Sequence, residues 1–186
     1  EEGLLRLERE VSRHLPEFKK MKVREEGTIE NYKTREPSQP ILIKDLLTHT
    51  SGLSYGFMTG HPAIKLYTTS GIASAKNSKT RIEMDLEEFS NTAASLPLLF
   101  DPGSQWHYSI SIDILGRIIE VISGEKFDSF LKKYIFDPLN MVDTDFSVPE
   151  DKHYRFVDCY QELVSKTGNK LKRCFTGGED VFSKPR

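Results

Sequence analysis

The sequence predicts a mostly α chain with a small β element, and three observations predict it. Between Ser109 and Ser123, Ile110, Ile114, Ile118 and Ile122 recur every fourth residue, widened by Leu115 and Ile119, which is the stripe of an amphipathic helix. Directly after it, Phe127, Phe130, Leu131, Tyr134 and Ile135 keep core spacing up to Pro138, so a second helix follows the first. From Tyr154 onward, Phe156, Val157, Tyr160 and Leu163-Val164 suggest strands joined by a turn at Thr167-Gly168-Asn169.

The other elements follow in order. Glu1-Glu2-Gly3-Leu4-Leu5 reads as the end of a helix stopped by a glycine, whose free φ suits the left-handed stop position. There is no initiator Met and no signal peptide, so the natural N-terminus is expected elsewhere. Leu7 to Phe18 reads as a connection, and residues 24–40, with Pro37 and Pro40, as a loop that can include a short hairpin. Ile41 to His49 forms a short apolar helix ended by Ser51-Gly52. Residues 54–84 form a surface lid with one short helix near Ala63 to Thr68. Asp85 caps the next helix with Glu88 as its capping-box partner, and that helix ends before Pro97. Asp113 and Arg117, four apart on the polar side of the long helix, can pair, and Gly124 stops it. Residues 1–146 are thus a helical subdomain, and 147–186 a β-hairpin-like extension of the same domain.

Composition narrows the function classes. Of 186 residues, 37% are hydrophobic and 29% charged, which fits a folded domain. A net charge of -2 gives no electrostatic footprint for nucleic acid or anionic lipid. No apolar run is long enough to span a membrane, so the expectation is a soluble protein, leaning to an intracellular one, with no membrane insertion. Cys159 and Cys174 lack paired zinc-ligand spacing and no histidines cluster near them, so neither a metal nor a cofactor is expected.

Four short patterns invite a catalytic interpretation. Gly52-Leu53-Ser54-Tyr55-Gly56 matches the nucleophile elbow G-x-S-x-G, but no buried strand precedes it and no helix follows, so a glycine-rich turn is expected. Ser123 to Lys126 and Ser129 to Lys132 both match S-x-x-K, in which a lysine one turn away activates a serine. Ser123 falls at the joint of two helices and Ser129 on a polar face, so both are read as decoys. Lys166-Thr167-Gly168 falls in a polar hairpin turn. His49, among apolar residues, is expected to be a hydrogen-bonded structural histidine.

Longer stretches carry a family resemblance. Leu46-Leu47-Thr48-His49-Thr50-Ser51-Gly52-Leu53 resembles the hallmark L-L-T-H-T-S-G-L of the serine β-lactamase-related group, which holds class C β-lactamases, D-alanyl-D-alanine peptidases and β-lactamase-like carboxylesterases. Pro102-Gly103-Ser104-Gln105-Trp106-His107-Tyr108-Ser109-Ile110 through Leu115-Gly116 is similar to that group's second catalytic motif and the helix behind it. Phe136-Asp137-Pro138-Leu139-Asn140-Met141 resembles its F-x-P-L-G-M. Three segments agree in order, nearest the carboxylesterase branch.

The resemblance implies that Tyr108 is the catalytic tyrosine, a phenol that relays protons as general base during acyl transfer. Ile110 stands where β-lactamases and peptidases keep an amide-binding asparagine, a change typical of the esterase branch, as is Asp113 five residues after the tyrosine; Tyr55 resembles a pocket tyrosine. It further implies a small acyl ester or amide as substrate. It also implies an interior fragment: the helical subdomain of a β-lactamase/penicillin-binding-protein-like α/β fold, with sheet, nucleophile helix and Ser/Lys pair outside the chain. Remaining segments of the domain or a partner subunit would then complete it. The alternative is a catalytically inactive subunit with a structural or scaffolding role.

Overall fold

The computed structural model describes residues 3–58, 60–72, 84–163 and 170–175. The Thr167 to Asn169 turn, the Lys166-Thr167-Gly168 triplet, the side chains of Cys159 and Cys174 and residues 73–83 of the expected lid lie outside the described part. The chain divides into two compact units, one from Glu1–Ser78 and Ile82–Phe127, the other from Lys79–Arg81 and Asp128–Arg186.

The first unit opens with two 3-10 turns, Val11–Arg13 and Pro16–Lys20, the second begun by a proline whose fixed φ suits a first helical position. They bury Val11, Leu15 and Phe18. Strand β1, Val23–Gly27, pairs antiparallel with β2, Tyr32–Arg35, in the register Val23 to Arg35 and Arg24 to Thr34. Helix α1, Ile43–Leu47, is headed by Asp45, whose carboxylate accepts the Leu42 N–H at 2.9 Å. Helix α2 covers Ile64–Thr69. Helix α3, Leu86–Ala94, starts as its capping box predicts: Glu88 N–H donates to Asp85 Oδ1 at 2.9 Å, and Asp85 N–H to Glu88 Oε2 at 3.4 Å.

Helix α4, Ser111–Ser123, carries the core. Ile110, Ile114 and Ile118 are fully buried on one stripe with Ile43 and Leu46 of α1, Leu53 and Leu98. Fully burying each such side chain is worth about 1.5–3 kcal/mol. Gly116 lets the Phe127 ring approach, since a Cβ there would meet Phe127 Cδ1 at 3.2 Å. Gly124 ends the helix at φ +71°, as its lack of a side chain allows. The apolar circumference is wider than the covered one, for Ile112 and Val121 are 48% and 43% exposed. Arg117 pairs with Glu87 at 2.6 Å and Glu120 at 3.2 Å, linking α3 to α4.

In the second unit, helix α5, Phe127–Leu131, runs on as a π turn over Lys132–Phe136. A 3-10 turn at Glu150–Arg155 replaces the start of the strand expected at Tyr154. Asp143 holds it through Lys152 at 2.8 Å and Arg155 at 2.6 Å. Strands β3, Cys159–Leu163, and β4, Lys170–Phe175, pair antiparallel.

The expectation that the sheet lies largely outside the chain is corrected. Two antiparallel strand pairs are within it, β1–β2 and β3–β4. The first falls where the sequence left room for a short hairpin, and its turn follows Gly27, where φ is +112° and any Cβ would strike the Asn31 carbonyl.

Candidate active site

The loop after α1 is shaped by two left-handed residues, His49 at φ +55° and Gly52 at φ +84°. For histidine that conformation is uncommon, and the surrounding structure must hold it. Four backbone hydrogen bonds do so, zipping the loop onto residues 99–110. Leu99 N–H donates to Gly52 O at 2.8 Å, Gly103 N–H to Thr50 O at 2.8 Å, His107 N–H to His49 O at 2.9 Å and Ile110 N–H to Ser54 O at 3.4 Å. At Gly52 a Cβ would lie 2.5 Å from the Phe100 carbonyl oxygen, so the two hallmark stretches can meet only through a glycine. Arg35 steadies the far loop through Asp101 at 2.8 and 2.5 Å.

This zipper brings the aromatic groups together. Tyr108 lies on the segment entering α4 and is 44% exposed. Its ring is 4.9 Å from His49 and 5.1 Å from Tyr55. Phe57 stacks on the far side of this row at 4.8 Å from Tyr55, and Trp106 closes the other end at 6.5 Å from His49. Tyr55 donates to Asp113 Oδ2 at 3.2 Å, from the loop to the first turn of α4. Burial, then the Asp113 carboxylate and then Tyr108 push the Tyr55 phenol well above its ordinary range, so it stays a neutral donor.

Beneath the aromatic row runs a buried polar network. Ser51, Ser109 and Ser111 are fully buried. Ser51 Oγ is 2.8 Å from Ser111 Oγ, which is 2.7 Å from Ser109 Oγ, which is 3.2 Å from His49 Nδ1. Asp45 joins the same loop, accepting the Thr50 hydroxyl at 3.2 Å. Beside the network, Ser54 Oγ and His107 Nε2 are 2.9 Å apart, and burial holds the His107 pKa below the ordinary imidazole value.

The structure therefore brings Tyr108, Tyr55 and Asp113 together, and places Ile110 fully buried at the head of α4. His49 is hydrogen-bonded, and in addition its ring abuts Tyr108. Ser54, fully buried and engaged with His107, presents no hydroxyl to solvent, so the G-x-S-x-G pattern is a packed turn. Ser123 donates to Ile119 O at 2.7 Å, and Ser129 bonds Asp128, while Lys126 and Lys132 pair with Asp85 and Asp137. Sequence reasoning missed Ser51, Ser109, Ser111 and Asp45. The available signal was the small hydroxyls at Ser109 and Ser111, which flank Ile110 at the head of an apolar stripe, and Ser51 next to Gly52.

Two further expectations are corrected. The Ser/Lys pair serving Tyr108 was expected from outside the chain, with a catalytically inactive scaffolding subunit as the alternative. Instead His49, Ser51, Asp45 and Ser109 cluster within this chain. The chain was also expected to be an interior fragment, yet the beta-lactamase family model matches residues 1–184, almost its whole extent.

The chain is similar to several known proteins. Acyltransferase mokF of Monascus pilosus is 31% identical over 198 residues, covering 100% of this chain and 45% of that protein. The lovastatin esterase of Penicillium rubens is 34% identical over 161 residues, covering 85% of this chain and 38% of the esterase. Among solved structures, EstCE1, a hydrolase with promiscuous acyltransferase activity, superposes with a TM-score of 0.68 at 27% identity, covering 92% of this chain and 40% of that one. The chain thus spans less than half the length of these relatives. No helix among the described residues is long and apolar enough to cross a membrane. The match from residue 1 to 184 establishes that this chain belongs to the beta-lactamase family.

Proposed function

We propose that the protein acts on small acyl esters, by hydrolysis or by acyl transfer to an alcohol, with Tyr108 as the proton-transfer group. The observation that carries this is the Tyr108 phenol, half-exposed at the surface and flanked by His49 and Tyr55. In acyl transfer the acyl carbon bonds the acceptor oxygen as its bond to the leaving alcohol breaks. One proton must pass from acceptor to leaving oxygen, and a positioned phenol can take it and return it. Tyr55 and Asp113 border the same place and fix its polar edge. Ile110, at the head of α4, is aliphatic where the β-lactamases and peptidases this chain resembles keep an asparagine, so it offers a β-lactam amide no hydrogen bond. Relatives named as an acyltransferase and an esterase support the same substrate class.

The test is substrate preference. We expect kcat/KM for p-nitrophenyl butyrate to exceed that for nitrocefin by at least about tenfold, since a site lacking a matched polar group forgoes roughly 1–3 kcal/mol on the amide. Better turnover of nitrocefin would sink the ester assignment.

A further inference from the structure

The serine chain under Tyr108 has a direction, and the direction can be derived. The Ser109 backbone N–H can only donate, and it points at His49 Nδ1 at 3.3 Å. Nδ1 therefore carries a lone pair, and the ring proton sits on Nε2. The Ser109 hydroxyl, 3.2 Å from the same Nδ1, must also donate there. Having spent its hydrogen, Ser109 accepts from Ser111 at 2.7 Å, and Ser111 in turn accepts from Ser51 at 2.8 Å. The other end agrees. Ser51 accepts the Leu53 backbone N–H at 3.2 Å, which again can only donate. The His49 end fixes the direction, so all three hydroxyls align one way, and Ser51 keeps a lone pair for the Leu53 N–H. All three serines are fully buried, so no solvent competes for their hydrogen bonds.

This chain ends on a ring that touches the functional phenol. His49 lies 4.9 Å from Tyr108 with the planes inclined 54°. Its backbone is held at φ +55°, and its carbonyl accepts the His107 N–H one residue before Tyr108. We propose that His49 is a positioning residue for Tyr108, its ring locked as the Nε2–H tautomer by a one-way relay of three serine hydroxyls. The proposal rests on the acyl-ester function above for its kinetic consequence, but not for its geometry. His49 touches no reacting atom; it fixes where the phenol stands, and a displacement of about 1 Å at such a group can cost about 10²-fold in rate.

Two substitutions separate the two halves of the role. His49→Asn keeps an acceptor for Ser109 but removes the ring, whereas His49→Phe keeps a ring but removes the acceptor. Both are expected to lower kcat on p-nitrophenyl butyrate about tenfold or more while KM stays within about twofold. Ser111→Ala, which cuts the relay without touching either ring, is expected to lower kcat less and to weaken the nuclear Overhauser contacts between His49 and Tyr108. In the unaltered protein, nitrogen NMR of labelled histidine should show His49 protonated at Nε2 only. An Nδ1–H tautomer would overturn the relay, and so would His49→Asn and His49→Phe with unchanged kcat. If the His49 variants do not fold, Ser111→Ala with unchanged ring contacts and unchanged kcat overturns it instead. A protein that turns over no ester would defeat the proposed function, while the tautomer and ring contacts would still decide the positioning claim.

Discussion

Tyr55 and Tyr108 sit 5.1 Å apart but differ in surroundings, and the roles proposed for them differ accordingly. Tyr55 is tied to Asp113 and driven toward its neutral form by burial, so it holds its proton and lends a fixed dipole. Tyr108 is 44% exposed and open to a reactant. A second contrast concerns histidine. Burial lowers the pKa of His107 below 6.5, and burial likewise lowers those of His61 and His14. Folded, these groups bind fewer protons than in the unfolded chain. Their contribution to stability is therefore full above about pH 6.5 and is lost as the pH falls below it. Melting followed from about pH 7.5 to pH 5 should show a declining Tm, and His107→Gln should flatten part of that decline. An acid limb equally steep in the variant would show that His107 does not contribute to it.

At the scale of elements, the site is a junction of two loops more than a property of any helix. The four-bond zipper between residues 49–54 and 99–110 joins the two loops, and Gly52 is its tightest point. Gly52→Ala is expected to cost at least about 2 kcal/mol, combining left-handed strain with a Cβ pressed on the Phe100 carbonyl. Chemical denaturation would measure it, and a loss below about 0.5 kcal/mol would show that the loop yields freely. The elements themselves were uneven to read. The capping box at Asp85 and the stripe of α4 were legible because their signals are local: three residues in one case, a period of four in the other. The β1–β2 pair was legible only as room for a short hairpin within residues 24–40, without its register, since its strands are polar and that register depends on a turn at Gly27. The π turn at Lys132–Phe136 was read as plain helix, because a shift from i+4 to i+5 bonding leaves no mark on hydrophobic spacing.

At the scale of the whole molecule, three separate motifs in the right order suffice to place the chain in its family, and the match over residues 1–184 agrees. The resemblance pointed to Tyr108, Tyr55 and Asp113, and the fold brings them together. It did not show the serine relay, because contacts such as Ser51 with Ser111, sixty residues apart, exist only after the two loops meet. The central claim is that Tyr108 moves the proton in acyl transfer. The most direct measurement is kcat for p-nitrophenyl butyrate in Tyr108→Phe, with Tyr55→Phe alongside to control for the loss of a neighbouring hydroxyl. The account predicts a fall of about 10²-fold or more for Tyr108→Phe, the range of a lost general acid–base, and less than about tenfold for Tyr55→Phe. A Tyr108→Phe protein that keeps its kcat would contradict it.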